Sequence, residues 1–129
     1  MALAIGAVLV FFSGAQLRQE KREAEETQAV ARLIACARDA ATGLPIAEVE
    51  VRNPTDEVAK HSVYIDFVDG NGESLAFSYG ETVPVSPGLK VVLSLPAIGE
   101  VPRAVAVDCR ISRAQTMPRR VAPSSERTP

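Results

Sequence analysis

The hydrophobic pattern of this chain changes period twice. Residues 2 to 12, Ala-Leu-Ala-Ile-Gly-Ala-Val-Leu-Val-Phe-Phe, carry no charge, and the uncharged run continues through Ser13-Gly14-Ala15 to Gln16. From Gln16 to Ala29 apolar residues almost vanish and helix formers take over. Arg22 and Glu26 stand at an attractive i,i+4 spacing, Glu20 and Glu23 at a repulsive i,i+3 one. A helix with almost no apolar face beyond Leu17 reads as a solvated spacer, so residues 16–29 are expected to form a charged helical linker.

From Val30 the period becomes two. Val30 to Ala37 reads as a first strand, with Ile34 and Cys36 on one face. Ile46 to Arg52 alternates cleanly, with Ala47, Val49 and Val51 set against Glu48, Glu50 and Arg52. Asn53-Pro54-Thr55-Asp56 is a turn. In His61 to Val68, Val63, Ile65 and Phe67 point inward, and Ser62, Tyr64 and Asp66 point outward. The Asp69-Gly70-Asn71-Gly72 turn leads to a strand carrying Leu75, Phe77 and Tyr79. Glu81 to Val85 reads as a short strand in which Pro84 marks an edge or a bulge. After Ser86-Pro87-Gly88, the residues Leu89, Val91, Leu93 and Leu95 share a face. Arg103 to Ile111 closes the series, with Val105, Val107, Cys109 and Ile111 inward. About seven closely spaced strands predict a mainly β chain, a single antiparallel β-sandwich over residues 30–112. The stretch 113–129, rich in proline and serine with Arg119-Arg120, reads as a disordered tail.

Composition sharpens this picture. Tryptophan is absent and aromatics make up 5%, so Val, Ala, Leu and Ile must fill the core. Cys36 and Cys109 fall on the expected inward faces of the first and last strands, which a bridge between them requires. In the chain-entropy picture, such a bridge stabilises the fold by about 4 kcal/mol. It also implies an oxidising compartment, whereas two buried free thiols would suit a cytosolic protein.

The apolar segment 1–15 supplies a route to that compartment. A transmembrane helix takes about 20 mostly apolar residues. This run is nearer a signal-peptide core, and Ser13-Gly14-Ala15 has the small residues of a cleavage site. A membrane anchor, a cleaved signal and a buried soluble helix all fit. Arg18, Lys21 and Arg22 follow the run and would by themselves place the following domain in the cytoplasm. The cysteine pattern outweighs them, and the expectation is a membrane-anchored protein with its β domain extracytoplasmic, or a secreted one.

Three segments carry a family resemblance: Val49-Glu50-Val51-Arg52-Asn53, Val63-Tyr64-Ile65-Asp66-Phe67-Val68-Asp69 with Gly72 closing the turn, and Val85-Ser86-Pro87-Gly88. In this order they resemble the small bacterial extracytoplasmic immunoglobulin-like domains of the FxLYD type. The likeness covers a little over half the chain, although Phe67 is followed here by Val68-Asp69 rather than Leu-Tyr-Asp. The resemblance implies an immunoglobulin-like fold and an extracytoplasmic address, and it brings no catalytic residues with it.

Candidate chemistry is sparse. His61 is the single histidine, and no Gly-x-Ser-x-Gly elbow accompanies it, so it reads as a strand-end residue rather than a triad member. One histidine and two distant cysteines do not make a zinc site. Asp66, Asp69, Asn71 and Glu73 supply oxygens around one turn, but Gly80 stands where a calcium loop begun at Asp69 needs its glutamate. Turn chemistry accounts for them instead. A net charge of −2 and the lack of a basic, aromatic-interleaved stripe speak against nucleic acid. No catalytic, cofactor-binding or metal-binding residue is assigned, and no small-molecule substrate is evident. The expected function is non-enzymatic: an interaction module tethered to a membrane through its N-terminal helix, with another protein as partner. An accessory subunit of a larger membrane complex is the alternative. A hydrolase or ligand carrier would need convergent polar groups around a pocket.

Overall fold

The alternation in Pro45–Arg52 organises the first sheet. Ala47, Val49 and Val51 are fully buried while Glu48 and Arg52 are exposed, as a strand with one wet face requires. The computed structural model describes residues 18–118, where a helix, α1 (residues 18–30), precedes six strands. These are β1 (Ala31–Arg38), β2 (Pro45–Arg52), β3 (His61–Val68), β4 (Ser74–Glu81), β5 (Lys90–Pro96) and β6 (Asp108–Thr116). They form two antiparallel three-stranded sheets, ordered β1-β2-β5 and β4-β3-β6. The sheets stack with β1 over β6, β2 over β3 and β5 over β4. Val49 and Val51 from one sheet meet Val63, Ile65 and Phe67 from the other. Gly80 permits the closest approach: a Cβ there would overlap Leu95 Cδ2, so its bare backbone lets Leu95 and Leu93 close over β4.

The β-sandwich expectation holds in its main lines, with corrections. There are six strands among the described residues, not seven. Glu81–Val85 is not a strand, and Val85 makes only an isolated bridge to Ala59. Pro84 has no N–H for a ladder, so pairing stops there. The last strand starts at Asp108 rather than Arg103 and runs through Thr116, past the expected boundary at 112. Leu89 lies outside β5 and is exposed. The first strand starts at Ala31, because Val30 ends α1. The expected apolar helix (1–15) and most of the expected tail (119–129) lie outside the described residues. Among the described residues, no helix is long and apolar enough to cross a membrane.

Bulges explain why single-phase alternation misplaced some side chains. Ladder pairing skips Ile34 in β1, Leu75 in β4 and Ser112 in β6. An extra residue reverses which face the following side chains take. Ala31 and Leu33 face inward before the first bulge and Cys36 after it, so Ile34 does not share the face of Cys36 and is 43% exposed. In β6, Cys109 and Ile111 give way to Ala114 across the same kind of shift.

Cys36 and Cys109 are disulfide-bonded, with Cα atoms 5.8 Å apart across 73 residues of chain. The bridge ties β1 to β6, edge strands of opposite sheets. Beside it, Arg38 donates to the carbonyls of Gly43, Pro102 and Val105 at 2.7, 2.8 and 2.7 Å, fastening the β5–β6 connection to the end of β1. The charged linker is not solvated all round. Glu23, Glu26, Thr27 and Val30, spaced i, i+3, i+4 and i+7, form a stripe against the sandwich. Thr27 Oγ1 accepts from Ala114 N at 3.1 Å and donates to Ala114 O at 3.4 Å, which caps the edge of β6. Val30 is buried in the core, so α1 passes into β1 without a hinge.

The end of the sandwich away from the disulfide is closed by polar groups. Asn53 is fully buried, donates to the carbonyls of Glu57 and Val85 at 2.7 Å each, and accepts from Thr55 N and Oγ1. It thereby holds the β2–β3 loop to the segment after β4. His61 is buried next to this layer, its N–H bonded to Thr82 Oγ1 at 3.0 Å. Neither ring nitrogen has a partner among the described residues. Burial pushes its pKa below the usual 6.5.

Two outcomes are expected. Cys36→Ser, melted under oxidising conditions, should lose more than about 10 °C of Tm, the counterpart of the roughly 4 kcal/mol from loop closure. An unchanged Tm would remove the bridge from the stability account. For His61, the unfolded chain binds the proton more readily than the folded one. Its stabilising contribution is therefore complete above about pH 6.5 and declines as pH falls from there toward the lowered folded value. Denaturant midpoints at pH 7.5 and 5.5 should show this loss in the parent and a smaller one in His61→Leu. Equal losses in both would assign the pH dependence to other groups.

Candidate interaction face

The two sheets present different outer faces to water. On β1-β2-β5 the pattern is charge pairing: Glu50 lies 3.4 Å from Arg32 and 3.7 Å from Lys90. Such exposed pairs contribute about 0–1 kcal/mol each, and Val92, opposite Glu50, is exposed beside them on β5. On β4-β3-β6 the face is aromatic. Tyr64 stands opposite Tyr79 across β3 and β4, with ring centroids 4.6 Å apart and planes inclined at 45°. Phe77, two residues before Tyr79, is 57% exposed. All three rings lie outward because Ser78 and Gly80, alternating with them, turn toward the core. Hydrophobicity alone would have turned Phe77 inward. The legible signal was the outward phase of Tyr64, and the cross-strand pairing that adds Tyr79 and Phe77 to it was not visible.

Polar groups frame the rings. Asp66 lies between Phe77 on β4 and Arg110 on β6. It accepts from Ser74 Oγ at 2.5 Å and Arg110 Nη2 at 2.6 Å, and these contacts hold its carboxyl below the usual range against the opposing effect of burial. The Tyr79 hydroxyl donates to Glu81 Oε2. That bond, with burial and the Glu81 charge, pushes the phenol up to about 12. Arg113, opposite Tyr64, reaches Glu23 at 3.0 Å and Glu26 at 3.3 Å on α1. The helix thus walls one side of the aromatic face.

A cleft of about 700 Å³ opens beyond the end of β4, lined by Asp56, Glu57, Lys60 and Glu81 and by the apolar Val58 and Met117. A smaller groove of about 400 Å³ runs between α1 and the β1/β6 edges, past Thr27, Leu33 and Ile111.

The residues weighed for chemistry are occupied structurally. Asp69 Oδ1 accepts from the amides of Asn71 and Glu73, and Gly72 N donates to Asp69 O, the bonding of a tight turn. Asp66 is spent on its arginine and serine. Among the described residues, no three His, Cys, Asp or Glu side chains group as a metal site. His61 faces the core, and Cys36 and Cys109 are joined.

With two tyrosines in the chain, phenol titration is simple to read. Glu81→Gln should bring the Tyr79 transition down from about 12 toward 10, followed by ultraviolet difference absorbance. A transition unmoved by the substitution would mean that the carboxylate does not hold that proton.

Compared with known proteins, the chain matches no protein-family model, no curated protein and no solved structure.

Proposed function

We propose that this chain is a non-enzymatic interaction module, tethered to a membrane by its N-terminal apolar segment and displayed on the extracytoplasmic side. One observation carries the reading: Tyr64, Phe77 and Tyr79 stand exposed together on one sheet, while the outer face of the other sheet is charge-paired. Contiguous exposed aromatic surface on a small domain marks a place where something binds. The Cys36–Cys109 disulfide favours an oxidising compartment, and the uncharged run at residues 2–12 supplies the means of reaching it.

The immunoglobulin-like, FxLYD-type reading draws support from the strand order. Taking β1, β2, β3, β4, β5 and β6 as A, B, C, C′, E and F gives sheets A-B-E and C′-C-F, an immunoglobulin arrangement without strands D and G. The bridge joins the equivalents of A and F rather than B and F. A partner protein is the proposed occupant of this face, which is small for a standard interface. Three strands of about eight residues offer roughly 400 Å², about half of what each side of a standard interface buries. An accessory subunit of a membrane complex uses the same surface. A secreted binding protein differs only in losing the N-terminal segment.

The test is a photo-crosslinking residue placed at Tyr64 in one variant and at Glu48, on the other sheet, in a second, both in cells producing the full chain. Alkylation before and after reduction reads the cysteines in the same preparation. Crosslinked partner from Tyr64 alone, with both cysteines protected until reduction, is the expected result. Equal products from both positions would remove the aromatic face from the function, and freely alkylated cysteines would remove the extracytoplasmic address.

A further inference from the structure

The edges of the sandwich are not equally protected. On one side, Thr27 caps β6 at Ala114, β1 is bulged at Ile34, and the disulfide joins the two strands. On the other side, β5 carries Lys90 and Pro96, residues that discourage edge pairing. Among the described residues β4 is covered at one point, where Ile98 N donates to Phe77 O at 2.8 Å as an antiparallel bridge. That bond shows which way the backbone of Phe77 faces. In an antiparallel ladder, alternate residues direct N–H and C=O to the same side. Pairing with β3 is regular from Phe77↔Asp66 to Glu81↔Ser62, so Tyr79 and Glu81 share the outward direction of Phe77. Thr82 N bonds back to His61 O, which agrees with this phase. Among the described residues, nothing pairs with the outward N–H and C=O groups of Tyr79 and Glu81.

We propose that this free stretch of β4 takes an extended peptide as an added strand, in line with Ile98, with a basic residue of the peptide at the Glu81 end. The inference rests on the interaction-module reading and names the partner chemistry. Ile98 is the chain's own example of the pairing, but the residues before it, which an antiparallel strand would set opposite Ser78 and Tyr79, belong to the other sheet, where Ala97 N donates to Pro45 O and Pro96 pairs with Ile46. Side chains of an added strand on the outer side would lie beside Phe77 and Tyr79, which are exposed there. The charge choice comes from the cleft at the strand's end, where Asp56 and Glu81 stand with Lys60. Backbone pairing supplies the affinity, and the aromatic and acidic neighbours supply the selectivity.

The test uses the full chain in detergent micelles and two acetylated ten-residue peptides of alternating valine and threonine, one beginning with two lysines and the other with two glutamates. The lysine peptide should bind at least tenfold more tightly by fluorescence anisotropy, and at saturation the Tyr79 and Glu81 amides should exchange at least tenfold more slowly. Glu81→Lys should invert the peptide preference. Tyr79→Pro, which removes an outward N–H, should abolish binding while circular dichroism is unchanged. If that variant does not fold, the parent's amide exchange and Glu81→Lys decide. Binding that perturbs Tyr64, Arg110 and Arg113 without protecting Tyr79 and Glu81 would overturn the edge proposal and leave the aromatic-face reading standing. No binding of either peptide at 1 mM would overturn it as well, whereas failure of the Tyr64 crosslink would remove the broader reading.

Discussion

Neither three-stranded sheet can bury its apolar face alone, so the domain depends on holding the two sheets together face to face. The core available for this is aliphatic and small, with Phe67 as its largest fully buried side chain. A covalent bond does part of what a larger core would do. Cys36–Cys109 joins edge strands of opposite sheets and closes one flank of the stack. Much else is gathered on that flank. β1 and β6 both carry bulges, α1 covers their junction, and Arg38 gathers the β5–β6 connection beside the bridge. Small extracytoplasmic domains short of core commonly resort to such a crosslink.

Closing one flank leaves the molecule polarised. The aromatic face, the free part of β4 and the acidic cleft all lie away from the disulfide flank or across the face from α1. Gly80 illustrates the economy of this design. Because it has no side chain, β5 can close over β4 from within, and the large residues on either side of it in β4 are left pointing outward. Packing inside and exposure outside are thus set by the same alternation.

Much of the fold was legible in the sequence because alternation with one wet face is a strong signal. β2 and β3 were read nearly to the residue, since both lie at the centre of a sheet and neither carries a mid-strand bulge. The errors fall on edge strands. Ile34, Leu75 and Ser112 are extra residues whose effect is to shift phase, and no hydrophobicity pattern announces them. Glu81–Val85 had strand-like composition, but Pro84 denied it a ladder. The charged linker's contact with β6 was invisible because it runs through Thr27 and ion pairs rather than an apolar stripe. Of the two thiols, Cys109 lies in phase with Ile111, whereas Cys36 was set inward with Ile34 and reaches the inner face only through the bulge at Ile34. The aromatic face was only partly legible, because it exists through pairing between strands and not within any one of them.

The absence of a hinge between α1 and β1 has a mechanical consequence. A pull on the helix passes into the first strand once the Thr27 and Arg113 contacts that hold α1 to β6 give way. An edge strand loaded from its end peels one rung at a time, which needs little force. Here peeling of β1 can proceed only as far as Cys36, where the load crosses the covalent bond into β6 and the second sheet. The disulfide therefore acts as a stop on unravelling, and a tension applied at the N-terminal side would be shared by both sheets while the face formed by β4-β3-β6 stays assembled.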